Sequence, residues 1–118
     1  MTPSTIFVRF TQPGFHHWPQ PTPERSYLGQ RHRHLFHVEV RLQVEHDDRE
    51  VEFHDLLDFA RARFPGGELG PQSCEMLARS LGKEIARRFQ RAVEVAVSED
   101  GEVGALVVTP HPGRASCR

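Results

Sequence analysis

The sequence predicts an α+β domain in which two helices cover one face of a four-stranded antiparallel sheet, in the order ββααββ. Three observations carry this. Along His32–Val44, the residues Phe36, Val38, Val40, Leu42 and Val44 alternate with His37, Glu39, Arg41 and Gln43, the period of a half-buried strand. Between Val51 and Phe89 the period lengthens to that of helices. Asp100-Gly101 then sits between two alternating segments, a strong signal for a two-residue hairpin. Half-wet strands and amphipathic helices bury their apolar faces against each other, which gives two layers.

Taken in order, Ser4–Phe10 reads as a first strand with Ile6, Val8 and Phe10 on one face. Thr11–Arg31 carries Pro13, Pro19, Pro21 and Pro23, a density that predicts neither helix nor central strand. A loop of that length in a small domain is usually functional, and Phe15, Trp18, Tyr27 and Leu28 predict that it is packed. The long strand His32–Val44 follows. Phe53, Leu56, Leu57, Ala60 and Phe64 recur at helical spacing in the first helix, Val51–Phe64, with Arg61 and Arg63 complementing the dipole of its last turn. Pro65-Gly66-Gly67 stops it. Ser73 is the expected N-cap of a second helix with a stripe of Met76, Leu77, Leu81, Ile85 and Phe89. Val93, Val95 and Val97 mark a third strand and Val103–Thr109 a fourth. The chain reads as one domain over 1–118, with a core from about residue 4 to 109 and a mobile tail, Pro110–Arg118. The two sheet edges are expected to be open, which favours pairing between subunits.

Composition excludes some classes. Fifteen basic and 16 acidic residues leave a net charge of −1, so there is no global electrostatic case for nucleic acid or a membrane surface. No stretch approaches a membrane span, and the N-terminus lacks an apolar signal core. Cys74 and Cys117 form no CxxC and no disulfide framework, which fits a reducing, cytoplasmic setting.

The informative feature is histidine. There are eight, and five lie between His16 and His37. His32 and His34, two apart on a strand, share one face and stand at the separation needed to hold one metal ion. They also share parity with Phe36 and Val38, so they extend the inner face. Two neutral imidazoles supply two of the three protein ligands usual at a catalytic zinc. Either His16 or His17, in FHHWP after the first strand, can return to them across a hairpin. His37 has the opposite parity, and His46 lies beyond the far end of the strand. His32-x-His34-x4-Glu39 also fits the metal signature of cupin barrels, but those are all-β, and Glu39 has the wrong parity to join the two histidines. Cys74, just past the expected N-cap, is a candidate reactive thiol, because a helix N-terminus lowers a thiol pKa. Ser73 and Glu75 flank it.

The chain resembles the 6-pyruvoyl-tetrahydropterin synthase and 6-carboxytetrahydropterin synthase family. The family has the ββααββ order of the tunnelling fold. It carries a histidine after strand one and then an HGH motif, which here reads His32-Arg33-His34-Leu35-Phe36 with arginine replacing the glycine. The interval from His17 to His32 matches the family's spacing, so the resemblance implies zinc on His17, His32 and His34. Glu52-Phe53-His54-Asp55-Leu56 resembles the family's start of helix one, and Gln72-Ser73-Cys74-Glu75-Met76 its start of helix two. Val95-Ala96-Val97-Ser98-Glu99 resembles its last VxVxE, whose glutamate anchors the guanine-like edge of a pterin. A carboxylate suits that task, since it accepts two N–H bonds from the ring edge.

Two family features have no counterpart. The catalytic cysteine a few residues before HGH is replaced by Ser26–Arg31, without a thiol, and the Asp-His pair between the helices is missing from Pro65–Gln72. The resemblance thus implies a zinc-dependent, lyase-type synthase acting on a pterin or purine-like substrate, of the kind serving pterin and queuosine biosynthesis. Its ring would be held by Glu99, Glu75 and Ser73, with Cys74 as the one available catalytic thiol. It also implies a ring-forming homo-oligomer, such as a hexamer. A zinc-containing module that binds a pterin or purine without turnover is the alternative.

Overall fold

The computed structural model describes residues 3–115. The elements run β1 (Ser4–His16), a 3-10 segment at Pro23–Gly29, β2 (His32–Val44), α1 (Phe53–Arg63), β3 (Gly67–Gly70), α2 (Cys74–Phe89), β4 (Val93–Glu99), β5 (Val103–Thr109) and a final turn α3 (Pro112–Ala115). The α+β layering is as predicted, but the sheet has five strands in the order β3-β1-β2-β4-β5 and is mixed, because β3 runs parallel to β1.

A long central hairpin sets the architecture. β1 and β2 pair antiparallel from Ser4 opposite Val44 to His16 opposite His32. Alternate residues turn to one face. There Val8, Phe10, Phe36, Val38, Val40, Leu42 and Val44 are buried with Val93, Val95, Val97 and Val107. α1 packs on β1, and α2 packs on β4 and β5. From α1, Leu56 and Ala60 enter this core; from α2, Leu77, Ala78, Leu81, Ile85 and Ala86 do. The Ser73 hydroxyl accepts the Met76 N–H at 3.1 Å, the expected cap, and Gln90 closes α2 in the left-handed conformation. Met76, expected in the apolar stripe, is instead exposed.

Two expectations about these segments are corrected. β1 does not end at Phe10; it continues through Pro13 to His16. A proline is tolerated where its missing N–H faces away from the partner strand, and beyond Thr11 that outer side meets only β3, which pairs with residues 14–16. The connection after α1 is not only a loop, since Leu69 is buried and draws Gly67–Gly70 alongside β1. Beyond β5, Pro112–Ala115 form a helical turn. Residues 116–118, Cys117 among them, lie outside the described residues.

Among the described residues the opposite sheet face carries no helix. Phe7, Leu106 and Val108 are exposed on it, beside an ionic row linking Arg9, Glu39, Arg41 and Glu94. The molecule is a slab of 52 × 32 × 22 Å. Its radius of gyration is 15.6 Å, against about 13.5 Å for a compact chain of this length.

Candidate metal centre

At one end of the hairpin the inner face changes chemistry on three adjacent strands. On β1 the buried series Val8, Phe10 leads through Gln12 and Gly14 to His16; on β2, Val38 and Phe36 lead back to His34 and His32; on β4, Val93, Val95 and Val97 lead to Glu99. The register places His16 opposite His32, Gly14 opposite His34 and Glu99 opposite Phe36. Phe36, fully buried, forms the floor, with its ring 5.2 Å from His16 and 5.8 Å from His34. Gly14 makes this close fit possible: a Cβ there would stand 2.8 Å from Leu69 Cδ1 and 3.3 Å from Phe36 Cε2.

His16, His32 and His34 each offer one ligand nitrogen, and these lie within 4.8 Å of one another. The rings meet edge-on, with centroids 4.6 to 5.3 Å apart. Their outer nitrogens are all engaged. His16 Nδ1 lies 2.8 Å from the Gln72 carbonyl, His32 Nδ1 2.8 Å from the Gln30 carbonyl, and His34 Nδ1 2.8 Å from Asp100 Oδ2. Carbonyl and carboxylate oxygens only accept, so each Nδ1 carries a proton, which leaves Nε2 as the ligand nitrogen each ring can offer. Fixing ligand histidines through their second nitrogen in this way is the usual support of a metal site. Asp100 is itself held. Its other carboxylate oxygen accepts the Leu35 N–H at 2.9 Å, and it occupies the hairpin turn at φ 58°, beside Gly101 at φ 76°. The Leu35 N–H and the His34 ring keep its carboxyl below the usual range.

The inward Nε2 atoms of His16 and His34 are buried without a hydrogen-bond partner. Orphaned buried polar atoms are costly. Glu99 faces them, with Oε2 3.1 Å from His16 Nε2 and Oε1 3.4 Å from His34 Nε2, in ion-pair range but not in hydrogen-bond geometry. Three imidazoles grouped within 4.8 Å beside a carboxylate make a donor set that could hold a cation, and the imidazole-rich composition suits zinc.

The cluster opens into a cavity of about 720 Å³ walled by Trp18, Pro19, Leu28, Met76 and Val103, with Ser73, Cys74 and Glu75 also on its lining. The loop 17–31 forms part of this wall; the Trp18 N–H donates to the Leu28 carbonyl at 2.8 Å and gathers its two ends. Trp18 and Tyr27, expected to pack, remain exposed.

Of the residues singled out in the sequence, His32, His34, Glu99, Glu75, Ser73 and Cys74 all border this cavity or the cluster. Where the resemblance points to His17, the structure groups His16 with His32 and His34. His17 also lines the cavity, but it lies one residue beyond the end of β1 and holds Gly70 through its backbone N–H, while His16 has the inward parity and is 6% exposed. Parity counted on from Phe10 would have selected His16, had the strand been extended through Pro13. Cys74 is also corrected in one respect. The helix N-terminus does not activate it; burial, then the charges of Glu99 and Glu75, push its thiol up to about 12. From the sequence Asp100 reads only as a turn residue; its contact with His34 arises from the long-range pairing of β4 with β2.

No family model matches the sequence, and no curated protein matches it. Among solved structures, the chain is similar to the 6-pyruvoyl tetrahydropterin synthase of Caenorhabditis elegans, with a TM-score of 0.65 at 12% identity over 93% of this chain and 96% of that chain. At that identity the likeness is one of fold.

Proposed function

We propose that the protein is a zinc-dependent, 6-pyruvoyl-tetrahydropterin synthase-like protein that acts on a pterin or purine-like ring. The observation that carries this is the cluster of three imidazoles, each braced at Nδ1, whose remaining nitrogens meet at the floor of a cavity of small-molecule size. His16, His32 and His34 would hold the ion, with His16 taking the place first given to His17. When bound, zinc supplies a Lewis acid that polarises an oxygen of the ligand. The chain does the rest. Glu99 and Glu75 offer carboxylates for ring N–H groups. Ser73 Oγ accepts from Met76 and retains its own O–H to donate into the cavity. Trp18, Leu28 and Met76 exclude water from the ring faces.

The bare sheet face and the exposed β5 edge support a homo-oligomer in which copies cover one another. No helix among the described residues is long and apolar enough to cross a membrane. A cytoplasmic setting remains part of the proposal.

Metal analysis of the purified protein, with mass spectrometry of molecules released on denaturation, tests the reading. About one zinc per chain together with a pterin or purine supports it; no zinc, and none taken up on addition, sinks it.

A second reading, a module that binds without turnover, is favoured by the neutral state of Cys74. With its thiol at about 12, the alkylation rate at Cys74 should keep rising well above its ordinary value of 9.0 instead of levelling off there. The raised folded pKa has a further sign: the unfolded chain loses this proton first, so Cys74 makes stability fall as pH rises from about 9 towards about 12. Mapping alkylation by mass spectrometry checks this, and a plateau near neutral pH would restore Cys74 as a nucleophile.

A further inference from the structure

We infer that Glu99 is the fourth donor of the metal centre in the protein without ligand, so that the ion has no open position until Glu99 leaves it. This rests on the metal reading above. Two donors bound at 2.0–2.1 Å with tetrahedral angles stand about 3.3 Å apart. Glu99 Oε2 is 3.1 Å from His16 Nε2, and Oε1 is 3.4 Å from His34 Nε2. These are ligand-to-ligand separations, and Glu99 stands on the His16–His34 side of the cluster.

Burial points the same way. The Glu99 carboxylate faces two buried Nε2 atoms that have no hydrogen-bond partner, and imidazole and carboxylate are both zinc donors. Among the described residues, Glu99's ion-pair contacts are with these two histidines, not with an arginine or lysine. Its position is also set by the fold, since it ends the inner series Val93, Val95, Val97 on β4, opposite Phe36. Closed four-donor sites are structural, whereas catalytic zinc keeps a position open. A glutamate that both closes the site and is the proposed acceptor for ring N–H groups makes ring capture the event that opens the ion.

The full chain loaded with Co²⁺ in place of zinc tests this, with visible absorption read during an azide titration. The expected result is a wild-type spectrum that azide does not shift. Glu99→Gln and Glu99→Ala should each change the starting spectrum and gain an azide-dependent shift. A wild-type shift as large as that of the variants overturns the inference and leaves the metal reading standing. Failure of the wild type to hold Co²⁺ or Zn²⁺ overturns both. The wild-type titration decides the matter even if a variant does not fold.

Discussion

The two ends of the β1–β2 hairpin share one face, one register and one strand geometry, yet they do different work. At the end near Ser4 and Val44, the inward positions are Val8, Val40, Leu42 and Val44, roofed by the helices and dry. At the end near His16 and His32, the inward positions are imidazoles, roofed by the loop 17–31 and the start of α2, with a cavity between. Phe36 and Phe10 mark the border. Parity decides only that a side chain points inward; the covering layer decides whether that position becomes core or site. The contrast also shows how precise polar groups are positioned cheaply, since the imidazoles inherit the rigidity of a ladder whose stability is secured elsewhere by apolar burial.

Substitutions at the two ends should separate binding from stability. His34→Ala or His32→Ala should abolish stoichiometric zinc binding, as should His16→Ala, with little loss of stability in the metal-free protein. His17→Ala and His46→Ala should keep the metal. Zinc analysis with denaturant titration reads both quantities, and retained zinc in His16→Ala would return the assignment to His17. At the dry end, Leu42→Ala should cost about 2–5 kcal/mol in the same titration, because it leaves a void in a fully buried position. The surviving folded fraction should bind metal with unchanged affinity.

Asp100→Asn tests the brace on His34 at the histidine end. Asparagine tolerates the left-handed turn, so the fold should hold, while the loss of the charged acceptor for His34 should weaken metal affinity about 10–100-fold by chelator competition. An unchanged affinity would mean that the turn alone positions His34. The smallest effect is expected from Ser73→Ala. Loss of the α2 cap should cost about 1 kcal/mol in thermal or denaturant unfolding and leave the metal in place.

The dry end was the more legible in the sequence, and the reason is physical. Alternation in β2 and the stripe of α2, which build it, are local signals, each readable within a few residues, as are the Ser73 cap and the Asp100-Gly101 turn at the other end. The continuation of β1 through Pro13 is not local. It depends on which side of the strand lacks a partner, and that is known only once β3 has been placed. β3 in turn has a single buried side chain, Leu69, and leaves almost no pattern. The residues alone leave His16 and His17 open, and the spacing of the resemblance favours His17; the inward parity of His16 shows only once β1 is carried through Pro13. His32 and His34 are legible because they sit on a strand whose alternation marks their face, whereas only the resemblance singles out Glu99. The place of Cys74 at the start of α2 is legible, but its ionisation depends on burial and on Glu99, neither of which a helix start encodes.

The pairing of His16 with His32 has a consequence for how such a protein can change. The two residues are the stem of the loop 17–31, and the ladder below pins them whatever the loop contains. Doubling the length of a flexible loop costs only about 0.6 kcal/mol in closure entropy. Trp18, Pro19, Gln20 and Leu28, which form the loop-borne wall of the cavity, can therefore be exchanged wholesale while the histidine cluster stays where it is. The domain is built as a socket with a replaceable side. Grafting loops between its β1 and β2 is the natural route to reshaping the cavity.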